Sequence, residues 1–405
     1  MDEKTTISIQ KIKNDDVKEA VFSALELIDA QKLMNKEDMI VLLKPNILGA
    51  KPPERAVTTH PEVLRSVIQW VKQFNPKKIV VAESSGGQKI GTTEKAMEAS
   101  KIKETCDQEN VECIPFEKTE RKVYHVEDPL VLEHFPSSTL LDEADLIINL
   151  PKIKTHGQCT LTCCIKNMFG TLPLVHKPRT HANFPSVGKF GAALVDIYSV
   201  SKPQLTVVDG YLCQEGNGPS GGDVVKMDLI MAGFDPVALD STICKLIGFD
   251  IDQVQYIAYG EQKGLGTTSQ EDIEILGEAL QNVRRDFKPP SSRPVSVPLP
   301  KWLADYIGKA IFQAEVKFDP EKCRLCSTCW TNCPVDAIQP PEHMKKGNVP
   351  TWDKSKCITC YCCAELCPYE AVEFKINFAK NVLKSWLGVG CIGLIALIIF
   401  LIVLL

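Results

Sequence analysis

The chain has 405 residues, 44% of them hydrophobic and 24% charged, with a formal net charge of −5. That length allows two or three domains, and the composition describes a mostly globular chain. With no long basic or acidic block, nothing in the charge pattern points to a nucleic-acid partner. The N-terminal sequence MDEKTTISIQ is charged and has no apolar signal core, so a reducing cytoplasmic setting is expected for the body of the protein.

Along the chain, helical stretches alternate with short apolar runs. Asp16–Leu33 reads as a helix, Met39–Leu43 (MIVLL) as a buried strand and Pro61–Phe74 as a helix with Pro61 in its first turn. Ile79–Ala82 (IVVA) follows as a strand, Thr93–Gln108 as a helix, and Leu146–Leu150 (LIINL) and Leu205–Val208 (LTVV) as strands. The alternation predicts an α/β domain with a mostly parallel sheet over residues 1–285.

Each apolar run is followed by a polar cluster. Lys44-Pro45-Asn46 follows the first, Glu83-Ser84-Ser85-Gly86-Gly87 the second, and Pro151-Lys152-Ile153-Lys154-Thr155-His156-Gly157 the third. Asp209-Gly210 and then Glu215–Pro219 follow the fourth. Open α/β sheets bind ligands beyond the carboxyl ends of their strands, so these clusters predict one shared pocket. Lysine is a mobile point charge suited to phosphate or carboxylate, and the glycine-rich turn offers backbone N–H groups to an anion. Taken singly, each residue reads as part of a solvated loop. Taken together, Lys44, Asn46, Ser84, Ser85, Gly86, Lys152, Lys154 and Lys166 read as a site for an anionic small molecule. His156 is the expected proton-transfer residue. No Gly-Lys-Ser/Thr completes a Walker motif and no GxGxxG opens a helix, so a nucleotide fold has little support. His156, Cys159, Cys163 and Cys164 raise a metal question. Adjacent cysteines at a helix start point in different directions, which favours structural cysteines. His176 and His181 are placed in a loop, and Asp235 before Pro236 reads as a helix N-cap.

At LLKPN (Leu42–Asn46), TTHPEVLRSVI (Thr58–Ile68), VAESSGG (Val81–Gly87) and LPKIKTHGQCTLTCCIKNMFG (Leu150–Gly170) the chain resembles the family called domain of unknown function 362. EGNGP (Glu215–Pro219) and GFDPVALD (Gly233–Asp240) continue the match. The resemblance implies an iron–sulfur protein, since members often carry a ferredoxin module after this domain. It supplies no reaction.

Lys288–Pro300 (KPPSSRPVSVPLP) reads as a linker and Trp302–Val316 as an amphipathic helix, together the connection over residues 286–315. Residues 316–376 hold two matched runs, Cys323-x2-Cys326-x2-Cys329-x3-Cys333-Pro and Cys357-x2-Cys360-x2-Cys363-x3-Cys367-Pro. This is the spacing of a bacterial-type, α+β ferredoxin holding two [4Fe–4S] clusters, whose runs exchange their last cysteine. One cluster is therefore expected on Cys323, Cys326, Cys329 and Cys367, the other on Cys357, Cys360, Cys363 and Cys333. Zinc sites use different spacings, and disulfides require an oxidising compartment. Cys362 is read as a bystander. In residues 377–405, Leu387–Leu405 is an apolar run without a charge, long enough as a helix to span roughly the 30 Å hydrocarbon core. With Trp386 at the interface and Lys380 and Lys384 before it, it predicts a single-pass C-terminal anchor on the cytoplasmic face of a membrane.

The sequence thus predicts a membrane-tethered iron–sulfur protein that exchanges electrons with a redox partner protein or membrane complex, coupled to oxidation or reduction of an anionic small molecule. Two alternatives stay open. One is a non-catalytic carrier whose N-terminal domain docks a partner complex. The other is a metal- or cluster-assembly scaffold using Cys159 to Cys164.

Overall fold

The computed structural model describes residues 4–290 and 315–375. The linker, the amphipathic helix and the apolar C-terminal run expected from the sequence lie wholly or largely outside these residues. Among the described residues no helix is long and apolar enough to cross a membrane.

The strands are β1 (Thr5–Lys11), β2 (Ile40–Pro45), β3 (Lys78–Glu83), β4 (Glu112–Pro115), β5 (Arg121–His125), β6 (His134–Ser138), β7 (Leu146–Leu150), β8 (Lys152–His156), β9 (Thr160–Thr162), β10 (Leu205–Glu215), β11 (Asp223–Gly233) and β12 (Ile273–Gly277). All but the β5–β6 hairpin belong to one sheet, ordered β12-β1-β11-β10-β7-β2-β3-β4, with β8 and β9 branching from β10. Five of the pairings along that order are parallel, and only the two involving β11 are antiparallel. The mostly parallel α/β sheet expected from the sequence is therefore present.

Both faces of the sheet are covered, which is why β2 and β7 read as unbroken apolar runs. Side chains alternate between the two cores. Val41, Leu43, Ile79 and Val81 enter one, beside the helices Val17–Leu27 and Pro61–Lys72. Leu42, Val80 and Ala82 enter the other, beside Val187–Val200, Pro236–Leu246 and Gln255–Gln262. The helix expected over 93–108 is two, Thr92–Ala99 and Ile102–Gln108, because Lys101 adopts a left-handed φ of 61° between them.

Pro151 shapes the site. It has no N–H to donate to a ladder, and it separates β7 from β8 while its carbonyl accepts Asp209 N–H at 2.8 Å. Strand β10 runs past this break, pairing with β7 at Leu205 and Thr206 and with β8 at Asp209 and Gln214. Strand β8 (KIKTH) is fully buried despite its polarity. Lys152, Lys154 and His156, two residues apart, lie on one side of it.

The C-terminal module pairs β13 (Glu315–Phe318) with β16 (Val372–Lys375), and β14 (Ile338–Gln339) with β15 (Thr351–Trp352). Short helices at Thr328–Thr331 and Cys362–Glu365 complete it. Its core joins Val316, Ile338, Ala371 and Val372 to the cysteines.

One buried carboxylate fixes the helix that carries Lys166. Asp240 accepts Cys164 N–H at 2.8 Å and Ile165 N–H at 3.0 Å, and is itself 0% exposed. Asp240→Ala leaves both donors buried without a partner, so a loss of about 2–4 kcal/mol is expected in anaerobic chemical denaturation. An unchanged unfolding midpoint would show that the helix is held by other contacts.

Candidate functional site

The carboxyl ends of β2, β3 and β8 converge on a cavity closed from the other side by the cysteine-rich module. From the sheet domain come Asn46, Glu83, Ser84, Gly86, Lys154, Lys166 and Lys177; from the module come Asn332, Cys362, Glu365 and Leu366. The cavity offers about 70 Å³ to the centres of water-sized molecules, room for on the order of five waters. The module is tied down around it. Lys51 Nζ reaches the Pro368 carbonyl at 3.1 Å and Glu370 at 3.2 Å, and Arg55 meets Glu370 at 2.5 Å. Gln88 N–H donates to Asn332 Oδ1 at 2.9 Å. Gly86 lies so close to Leu366 that a Cβ there would stand 2.8 Å from Leu366 Cδ2.

The predicted residues divide into two groups. Lys44 and Lys152 are spent on buried ion pairs and do not line the cavity, which corrects their expected binding role. Lys44 pairs with Glu83; burial pushes the lysine down and the carboxyl up, and their mutual attraction opposes both shifts. A Cβ on Gly170 would fall 1.9 Å from Glu83 Oε1, so only glycine fits beside this pair. Lys152 meets Asp209 at 2.8 Å, and Asp209 also accepts His60 N–H at 2.6 Å and Tyr211 N–H at 3.0 Å. The anion cradle expected at Ser84–Gly87 is corrected as well. Ser84 N–H donates to Gly170 O, Ser85 N–H to Thr93 Oγ1 and Gly86 N–H to Leu48 O, leaving none of these three for a ligand. Ser85 is buried outside the lining, its carbonyl accepting from Lys177.

Lys154, Lys166, Asn46, Ser84 and Gly86 do line the cavity. Lys154 Nζ donates to Asn46 Oδ1 and the Val57 carbonyl, both at 2.6 Å, with no carboxylate in contact. Burial, then the Lys166 and Lys152 charges, push its pKa down to about 7. Lys166 is half-buried, with its Nζ 5.9 Å from the centroid of the Phe169 ring. His156 Nδ1 accepts from Gln158 N–H at 3.0 Å and Cys159 N–H at 3.1 Å, which puts the ring proton on Nε2. Burial, with Lys166, His181 and Lys154 nearby, holds the ring well below its usual range, so it is neutral.

Sequence reasoning missed Lys177 and Glu365. Lys177 stands on the helix His176–Asn183, where a loop was expected, and donates to the Ser84 and Ser85 carbonyls. Burial lowers its pKa to about 7, against the pull of Glu83 and Glu117. His181, on the same helix, is stacked on Phe190 at 4.1 Å between ring centroids, and burial holds it near 3. Glu365 projects from the module with its side chain 10% exposed. Its Oε1 lies 3.3 Å from His156 Nε2, yet the N–H is not aligned and that oxygen has no hydrogen-bond partner. Burial pushes this carboxyl up, against Lys166 and Lys154. No sequence signal marks Glu365, because its neighbours in the cysteine run carry the pattern.

Of the four residues that raised a metal question, His156 and Cys159 stand apart from Cys163 and Cys164. Among the described residues only Cys163, Cys164 and Asp240 bring ligand atoms within 4.8 Å of one another, and Asp240 is occupied with backbone N–H groups. Asp235 is the N-cap expected, accepting Val237 N–H and Ala238 N–H.

The cysteines of the two runs gather around two small cavities. Cys323, Cys326, Cys329 and Cys367 line one small apolar cavity; Cys333, Cys357, Cys360 and Cys363 line another. All eight are free thiols, so each cavity presents the tetrathiolate set a [4Fe–4S] cube requires. Cys362 lines both the second of these cavities and the ligand cavity.

Residues 322–371 match the 4Fe–4S dicluster domain, so the protein carries two [4Fe–4S] clusters, and a ferredoxin domain implies a redox partner. The chain is 31% identical over 265 residues to "Thylakoid-associated protein sll1697" of Synechocystis sp., covering 65% of this chain and 80% of that protein. Among solved structures, the lactate racemase apoprotein of Thermoanaerobacterium thermosaccharolyticum aligns with a TM-score of 0.34 at 13% identity, covering 58% of this chain and 54% of that one. A protein from Thermotoga maritima aligns with a TM-score of 0.33 at 12% identity, covering 55% and 56%. Residues 41–245 match the domain of unknown function DUF362, and the chain belongs to that family.

Proposed function

We propose that the protein is a ferredoxin-linked oxidoreductase that acts on an anionic small molecule held between the sheet domain and the iron–sulfur module. The observation that carries this reading is the shared wall. Asn332, Cys362, Glu365 and Leu366 line the ligand cavity and are interleaved with the cluster cysteines Cys333, Cys363 and Cys367. Cys362 belongs also to the Cys333, Cys357, Cys360, Cys363 cavity, whereas no residue of the ligand cavity lines the other cysteine set. The former set is thus the one adjoining the ligand. Cys326, of the latter set, is exposed, which supports that edge as the face met by the redox partner.

When bound, the clusters supply one-electron transfer. The chain's own residues bind and orient. Among the described residues Lys154 and Lys166 lack carboxylate contacts and Lys177 touches only carbonyls, and together they offer an anion a partly desolvated positive site. His156, the residue expected to transfer a proton, does not itself line the cavity; its Nε2 lies 3.3 Å from Oε1 of Glu365, which does. The docked module supplies one wall of this space.

The membrane tether is part of the same reading. The Synechocystis relative is named as a thylakoid-associated protein, and the run Leu387–Leu405 has the length and apolarity to anchor this chain.

Three outcomes are expected. A thermal-shift screen of small carboxylates and inorganic phosphate on the anaerobic full chain yields a stabilising anion. Its effect is lost in Lys154→Ala and Lys166→Ala. It also weakens as pH rises through about 7, where Lys154 and Lys177 lose the protons that attract an anion. A shift indifferent to both substitutions would sink the site. Cys333→Ala and Cys357→Ala each remove the same cluster, roughly halving iron content and leaving the same residual electron paramagnetic resonance spectrum. If Cys333→Ala instead matches Cys323→Ala, the exchanged pairing is wrong. Finally, the full-length protein sediments with membranes and is released by detergent but not by high salt. Recovery in the soluble fraction would rule out the tether.

A further inference from the structure

We infer that Asn149 and Asn167 are positioning residues for Lys154: with Asn46 they form a one-way chain of side-chain amides that keeps an acceptor oxygen on this lysine and helps it hold the proton that draws an anion. The inference rests on the anion site proposed above and adds what keeps its buried cation charged. The chain starts at the Cys164 carbonyl, which accepts from Asn149 Nδ2 at 3.0 Å. Asn149 Oδ1 accepts from Asn167 Nδ2 at 2.7 Å, Asn167 Oδ1 from Asn46 Nδ2 at 3.0 Å, and Asn46 Oδ1 from Lys154 Nζ at 2.6 Å. Both ends fix the direction, since a carbonyl oxygen can only accept and an ammonium can only donate. Turning any one amide over would set donor against donor on one side and acceptor against acceptor on the other. Asn167 Nδ2 also donates to the Lys44 carbonyl at 3.3 Å, another group that only accepts.

The backbone holds the chain at both ends. Asp240 accepts the N–H of Cys164, and Thr59 Oγ1 accepts Asn46 N–H at 2.8 Å while donating to the Leu150 carbonyl at 2.6 Å. Asn149 and Asn167 are both buried. Folding alone does not call for amides here, because well-packed apolar side chains in place of a buried polar network are often neutral or stabilising. Three aligned amides do what an apolar core cannot: their dipoles reinforce one another and turn their oxygen ends toward Lys154. Among the described residues that lysine has no carboxylate in contact, and its acceptors are Asn46 Oδ1 and the Val57 carbonyl. The charged and titratable groups facing it are Lys152 on its own strand, Lys166 and Cys163 at the helix Cys164–Asn167, and Glu365 of the module. Burial and the two lysines draw its pKa down to about 7, against Glu365 and Cys163.

Trace acetylation of the anaerobic full chain with acetic anhydride over a pH series, read lysine by lysine by mass spectrometry, tests this, because only the unprotonated amine reacts. Labelling of Lys154 in the unsubstituted protein is expected to rise through about pH 7. Asn46→Leu removes the acceptor itself and moves that rise down by about one pH unit. Asn149→Leu, which leaves Asn46 in place, still moves it down by about half a unit, and Asn167→Leu serves in its stead where it fails to load its clusters. Visible absorbance of the clusters identifies the loaded variants, and the exposed Lys18 keeps its midpoint in all of them. A variant that only loosens packing alters labelling at every pH without moving the midpoint. A midpoint moved by Asn46→Leu but not by Asn149→Leu or Asn167→Leu overturns the chain and leaves Asn46 as a simple partner. A midpoint moved by none of them overturns the whole inference and leaves the anion site standing. Lys154 unlabelled at every pH removes it from the anion site, and the inference falls with it.

Discussion

A buried ammonium must find an acceptor or give up its proton, and among its described residues this protein buries Lys44, Lys152, Lys154 and Lys177 around one edge of the sheet. Two solutions are used. Lys44 and Lys152 are neutralised within the domain by Glu83 and Asp209, and these pairs brace the ends of β2, β3 and β8. Lys154 and Lys177 receive only amide or carbonyl oxygens, and burial draws both toward neutral pH. Lys166, half-buried over Phe169, adds charge without an ion-pair partner among the described residues. Such an arrangement is costly for folding alone, because replacing unpaired buried charge with apolar side chains would stabilise the domain. The rest of the site follows from holding these cations ready for something that is not part of the sheet domain.

Much of this was legible in the sequence because the physics behind it is local. Parallel strands buried on both faces must read as apolar runs, and β2, β3, β7 and the start of β10 did. The polar clusters after them marked the correct edge of the sheet. The cysteine runs were legible because a cluster dictates its ligand spacing. Strand β8 was not recognised, since KIKTH carries no apolar run and owes its burial to β10 and the ion pair at Asp209. Strands β1 and β12 escaped for a related reason, since their pairing partners are distant in the chain; β11, which pairs with its neighbour β10 as well as with β1, opens on exposed residues instead of a buried apolar run. The sequence could nominate six lysines and serines as equals. Only the folded contacts separate Lys44, satisfied by Glu83, from Lys154, which faces a cavity.

Glu365 is the clearest case of a residue whose meaning depends on docking. In the chain it sits between two cluster cysteines, as one polar residue among several. Its place in the site is created by the seating of the module, which Lys51 and Arg55 secure on Glu370 and which the missing side chain of Gly86 permits at Leu366. The tether through residues 291–314 keeps the module at high local concentration, so these few contacts need not be strong individually to keep it seated.

The same docking gives the two clusters unequal positions. An electron relay is useful when one end is accessible to a partner and the other is adjacent to the chemistry. The set containing exposed Cys326 lies away from the ligand cavity, while the set containing Cys333, Cys357, Cys360 and Cys363 shares Cys362 with it. Each set takes its fourth cysteine from the other run, which joins the two sets in one small core. In the function proposed above, an electron held on that set would add negative charge on the side of the ligand cavity, which Lys154 and Lys166 line. The same two cations would then serve the reduced set and the anion, and the charge Lys154 supplies is greatest below about pH 7, where it keeps its proton.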